Sequence, residues 1–190
     1  FKNAIEQNKN YQFEQADIKN YAGNYKDADL IILHGLPSIG ASSKMSVVQD
    51  IMASNQPVLL VLSANTNLAQ FNSFQKILQI NGTSLNGNDV FPIYQSTFSK
   101  FTINENTLKV IQTLPPLLAP YGKYQIAATV EVLYKQQIGS IPTDNPLVLV
   151  NELNGKKTGF ICGEGIWRWR LNEFAQNKKQ DATDEIINKL

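Results

Sequence analysis

Nine residues, GEGIWRWRL at 163–171, hold both tryptophans of the chain, Trp167 and Trp169, and both arginines, Arg168 and Arg170. Tryptophan and arginine are the side chains over-represented where binding energy concentrates. An arginine also offers a planar fork of donors that matches a carboxylate or a phosphate. The segment is therefore a candidate lining of a ligand cleft or a contact surface. The alternative is structural: the indoles cap a sheet edge while the arginine stems lie across apolar surface. If the segment stays extended, both indoles leave in one direction. If it is helical, they point roughly 200° apart.

Three other residues bear on chemistry. His34 is the only histidine and Cys162 the only cysteine. A serine nucleophile needs a base within hydrogen-bond reach, and for Ser63 the sole candidate is His34. No G-x-S-x-G surrounds Ser63. Cys162 lies in the apolar run GFICG and reads as a small buried hydrophobe. Asn65 and Glu164 complete the candidate ligand set, since they lie beside Ser63 and beside the WRWR segment. Asp27, Asp29, Asp144 and Glu164 have no metal-ligand spacing, so no metal is expected. Neither G-x-G-x-x-G nor a Walker loop is present, so no cofactor is expected either.

The balance of 17 basic and 16 acidic residues, without a basic stripe, argues against a nucleic-acid partner. The apolar runs LIIL and VLLVL are too short to cross a bilayer, so membrane contact by this segment is not expected. One cysteine excludes an internal disulfide. A length of 190 residues suits one domain with an ordinary core.

The elements that must position these residues follow from periodicity. The chain opens in helical spacing over 1–9. YQFEQAD (11–17) alternates and reads as a strand. LIILHG (30–35) and VLLVLS (58–63) are continuous apolar runs, the mark of strands covered on both faces. Between them, 43–56 places Met45, Val48, Ile51 and Met52 on one helical face, with Ser42 or Ser43 as N-cap and Pro57 as stop. A second amphipathic helix is expected over 68–79. Strand–helix–strand–helix with short loops requires parallel strands and right-handed crossovers. Beyond residue 80 the pattern changes: 81–89 is turn-rich, 107–114 reads as a short helix, and 124–134 as a strand. Residues 146–165 form a hairpin about Asn154-Gly155. The tail, 171–190, is helical in two pieces.

Four segments carry a family resemblance: DADLIILHG (27–35), PVLLVLS (57–63), GKKTGFICGEG (155–165) and GEGIWRWRL itself. In these the chain resembles class I glutamine amidotransferase-like domains of large bacterial membrane proteins. The resemblance implies one domain over 1–190, an α/β three-layer flavodoxin-like sandwich with a mostly parallel sheet and a late β-hairpin. It also implies that the family's first strand precedes residue 1, in a longer, membrane-anchored parent whose domain lies outside the cytoplasm. The family's nucleophilic cysteine would follow VLLVLS, where this chain has Ser63, Ala64, Asn65 and Thr66. The family's late His-x-Glu is matched by Glu164 without a histidine. The expectation is therefore a non-catalytic binding module that contacts other domains of its parent or a small anionic ligand through His34, Ser63, Asn65, Glu164, Trp167, Arg168, Trp169 and Arg170. Two alternatives stand beside it. One is a degenerate hydrolase or transferase using Ser63 and His34 on a small acidic substrate held by Arg168 or Arg170. The other is a purely structural domain.

Overall fold

The computed structural model describes residues 1–40 and 45–190. The chain is α/β. Its strands are β1 (Ile31–His34), β2 (Val58–Val61), β3 (Leu78–Tyr94), β4 (Leu117–Ile126), β5 (Val130–Ile138), β6 (Ile141–Leu153) and β7 (Lys156–Ile161). The helices are α1 (Lys2–Ile5), α2 (Met45–Ala53), α3 (Leu68–Phe74), α4 (Glu105–Ile111), α5 (Ile166–Asn177) and α6 (Asp181–Lys189). Among the described residues, one sheet of seven strands runs in the order β1-β2-β7-β6-β5-β3-β4.

The two apolar runs are parallel neighbours as expected, Ile31 opposite Val58 and His34 opposite Val61, and β2 is parallel to β7 on its other side. Because β2 has a strand on each side and a helix layer on each face, all four of its residues are buried. Leu59 and Val61 face a layer formed by α1, α4, α5 and α6, whereas Val58 and Leu60 face α2 and α3. Met45, Val48, Ile51 and Met52 are the buried face of α2, as their spacing requires. The capping serines at 42 and 43 lie outside the described residues.

Several expectations are corrected. The sheet is not mostly parallel: the pairs β7–β6, β6–β5, β5–β3 and β3–β4 are all antiparallel. Two of them, β5–β6 and β6–β7, are joined by connections far too short for a parallel crossover, which leaves antiparallel pairing as the only closure there. The run at 30–34 is an edge strand, so Ile31 and Ile32 are only half-buried and His34 is exposed. Residues 11–17 form no strand. Tyr11 is exposed there, and alternation without a buried face gains nothing from packing.

The helix expected over 68–79 stops at Phe74 because the Gln75 carboxamide accepts from the backbone N–H groups of Ile77 and Leu78, at 2.7 and 2.9 Å, and turns the chain into β3. Residues 81–89 are not turns but the middle of that long strand, paired with β4 across a register shift between Thr83 and Gly87. In a two-stranded ribbon, backbone pairing does not require an apolar sequence. The strand expected over 124–134 is two strands, the end of β4 and the start of β5. The Asn154-Gly155 hairpin forms as read, both residues at positive φ, 52° and 81°.

Phe160 and Tyr11 test this layering. Phe160→Ala removes a buried ring from the face covered by α2 and α3, and should destabilise the domain by about 3–5 kcal/mol in a denaturant melt. Tyr11→Ala should leave the midpoint within about 0.5 kcal/mol of the parent. A large loss on Tyr11→Ala would restore the strand reading of 11–17.

Candidate functional site: a cleft at the carboxyl edge of the parallel strands

The chain leaves β2 for α3 on one face of the sheet and leaves β7 for α5 on the other. Adjacent parallel strands whose connections diverge in this way open a crevice at their carboxyl ends, the place where open α/β sheets hold ligands. A cleft of about 460 Å³ lies here. Its floor is His34 at the end of β1 and Val61 at the end of β2, and its walls are α1 and the start of α5.

Gly165 sets the direction of α5. Its φ is +120°, a backbone conformation that L side chains rarely adopt, so the conformation favours glycine. The helix then begins at Ile166, and the WRWR alternation is split by the helical period. Trp169 is 1% exposed and its Nε1 donates to the Pro115 carbonyl at 2.7 Å. Trp167 is 63% exposed and walls the cleft. One indole is core and the other is surface, as the geometry of a helix leaving the sheet requires.

The arginines divide similarly. Arg170 lines the cleft and is fastened from behind, with Nε 2.8 Å from Asp184 Oδ1 and Nη2 3.2 Å from Asp184 Oδ2. Gln180 accepts from the same guanidinium at 2.7 Å. Burial pushes the Asp184 carboxyl up, and Arg170 pulls against that shift. Arg168 does not line the cleft. Its guanidinium carbon lies 5.9 Å from the Trp167 ring centroid, in cation–π range.

Glu173, three to four residues after Trp169 and Arg170, pairs with neither. Glu173 is buried and accepts from Ala182 N, Thr183 N and Thr183 Oγ1 at 2.8–2.9 Å, capping α6. A buried carboxylate is tolerable there because three donors and a helix N-terminus face it.

Of the other sequence candidates, His34 reaches the cleft, with its ring edge-on to Phe1 at 6.2 Å between centroids. Ser63 is buried in the turn after β2, where its Oγ accepts from Asn65 N at 3.2 Å and its own N donates to Thr66 Oγ1. No hydrogen bond joins Ser63 to His34 among the described residues. Asn65 is exposed in that turn and accepts from Ile39 N. Glu164 forms a backbone bridge with Leu118 and does not line the cleft. Cys162 is fully buried, facing α2 and α3 beside Phe160 while Ile161 faces the opposite layer, and burial raises its thiol pKa far above the usual range.

Among the cleft residues that sequence reading missed are Lys2, Leu171 and Gln180, brought there by α1, α5 and the α5–α6 turn. Only Leu171 left a signal, four residues after Trp167. Three cleft residues, Lys2, His34 and Arg170, bear basic groups, and among the described residues no carboxylate lines it.

No family model matches the chain, and no curated protein matches it. Among solved structures it is similar to the mmIFT52 N-terminal domain, at 12% identity over 83% of this chain and 75% of that one, with a TM-score of 0.47. It is similar to Cytoplasmic Protein STM3548 from Salmonella typhimurium, at 13% identity over 87% and 71%, with a TM-score of 0.46. A β-galactosidase from Bacillus circulans sp. alkalophilus aligns at 8% identity over 75% of this chain but only 21% of its own length, with a TM-score of 0.44. Likenesses this distant carry no argument about function.

Trp169→Ala should cost about 3–5 kcal/mol of stability and Trp167→Ala less than about 0.5 kcal/mol, measured by denaturant melts. In single-tryptophan variants, acrylamide should quench Trp167 and spare Trp169. A thiol reagent should leave Cys162 unmodified under native conditions and label it in denaturant; rapid native labelling would contradict its burial.

Proposed function

We propose that this chain is a non-catalytic binding domain that takes a small organic anion in the cleft at the carboxyl edge of β1 and β2. One observation carries the reading: the cleft presents Lys2, His34 and Arg170 beside an exposed indole, with no carboxylate among its described lining residues. Charge-assisted donors select a carboxylate or phosphate, while Trp167, Ile166 and Leu171 supply apolar surface for the rest of the molecule. A planar ring carrying an anionic group satisfies both. The resemblance of GEGIWRWRL to amidotransferase-like domains supports the same conclusion and adds the setting, one domain of a larger, membrane-anchored protein. The three-layer arrangement, with a parallel β1-β2-β7 unit, is compatible with a flavodoxin-like ancestry elaborated by antiparallel strands.

The hydrolase reading has less support. Ser63 is buried and its hydroxyl is engaged by the backbone of its own turn. A nucleophile so held lacks the base that would activate it.

Phenyl phosphate, benzoate and inorganic phosphate, titrated against the chain and read by Trp167 fluorescence, test the proposal. Phenyl phosphate should bind saturably and more tightly than inorganic phosphate. Lys2→Glu and His34→Ala should each weaken it by about tenfold, the scale of one charge-assisted hydrogen bond. Absence of saturation, or affinity unchanged in both variants, would refute the site. Incubation with glutamine should release no ammonia above a buffer control.

A further inference from the structure

The outward face of α5 carries a surface that shares Trp167 and Leu171 with the cleft and runs past it to Phe174 and Lys178. Trp167, Leu171 and Phe174 stand at i, i+4 and i+7 and are 63%, 60% and 50% exposed. Helical residues at this spacing share one face, and on a helix of a folded domain that face is normally buried. The same helix already buries its other side through Ile166, Trp169 and Glu173. The stripe is therefore additional to the face that holds α5 to the sheet.

Cations stand at its two ends. Arg168 lies over the Trp167 ring, and Lys178, at i+11, places its Nζ 5.7 Å from the Phe174 ring centroid. Among the described residues neither has a carboxylate within ion-pair distance, whereas nearby Lys2 and Lys179 pair with Glu6 and Asp181, each at 3.9 Å. The two unmatched charges are about 15 Å apart along the axis, at 1.5 Å per residue.

We propose that this face docks an amphipathic helix of a partner protein, with apolar residues at i, i+4 and i+7 and a carboxylate at each end. Charge decides among the occupants. A second copy of the chain is disfavoured, because two-fold pairing of the stripes sets cation against cation in either orientation. A lipid surface is a poorer match, because electrostatic membrane binding draws on clusters of about four to eight basic residues, and two are unmatched here. An acidic amphipathic helix satisfies both ends and covers the apolar middle with its own apolar face.

The test uses the whole chain and a helix-stabilised, fluorescein-labelled peptide with leucines at i, i+4 and i+7 and glutamates at both ends, read by anisotropy. Versions ending in glutamine and in lysine, and phosphatidylglycerol vesicles, run beside it. Phe174 and Lys178 are exposed, so Phe174→Ala and Lys178→Glu should retain the parent melting curve. The glutamate peptide should bind saturably, and each variant should weaken it by about tenfold, the scale of an interface hot spot. Lys178→Glu should also improve binding of the lysine peptide. Equal affinity for glutamate and lysine ends, or no effect of Phe174→Ala, overturns the proposal. So does vesicle binding or self-association that Phe174→Ala abolishes while the peptide fails to bind. Neither residue lines the cleft, so phenyl phosphate binding should be unchanged in both variants, which separates this test from that of the anion site.

Discussion

The anchoring of α5 is the constraint on which the rest of the candidate site depends. Gly165 turns the chain off β7 in a conformation that favours glycine, and the helix that follows is held at three points. The Trp169 indole reaches Pro115, Arg170 is forked onto Asp184, and the Glu173 carboxylate caps α6. All three project toward the sheet or toward α6. Their positions on a 3.6-residue period force Trp167, Leu171 and Phe174 outward. The surface that binds and the interior that holds the helix are thus two sides of one periodicity.

This arrangement explains why charged groups occupy such a closed region. Arg170 and Asp184 are each mostly shielded, and a buried charge without its partner costs several kcal/mol. Paired, they fix the α5–α6 angle and leave the guanidinium's edge on the cleft. Glu173 solves a related problem. The first backbone N–H groups of α6 lack helical partners, and a carboxylate beneath them satisfies those donors while they offset its own desolvation. The α5–α6 corner is a joint of an ion pair and a buried capping carboxylate, and the cleft borders it.

The sheet imposes the other constraint. β2, buried on both faces and flanked by parallel neighbours, creates the divergence of connections that opens the cleft. Beyond β7 the sheet continues antiparallel, through two tight hairpins to β6 and β5 and then through β3 and β4, which are joined by way of α4. Those strands extend the domain without bringing candidate residues to the site. That division of labour leaves Ser63 and Asn65 in a self-contained turn and Cys162 sealed beneath α2 and α3.

The sequence by itself determined the local features that depend on near neighbours. Two continuous apolar runs gave parallel β1 and β2, the spacing of Met45, Val48, Ile51 and Met52 gave α2, and Asn154-Gly155 gave the last hairpin. The division of the two tryptophans into buried and exposed depended on the segment being helical rather than extended, a choice its residues left open. The tertiary structure alone decided what depends on residues far apart in the chain. Whether β1 is central or at an edge is set by which strands reach it, and so His34 is exposed rather than covered. The partner of Arg170 is fourteen residues away on another helix, where no pattern of spacing in α5 could place it. Lys2 reaches the cleft only because α1 packs beside α6 across nearly the whole chain. The long β3–β4 ribbon was hidden because backbone pairing at a solvent-facing strand leaves no hydrophobic period to read.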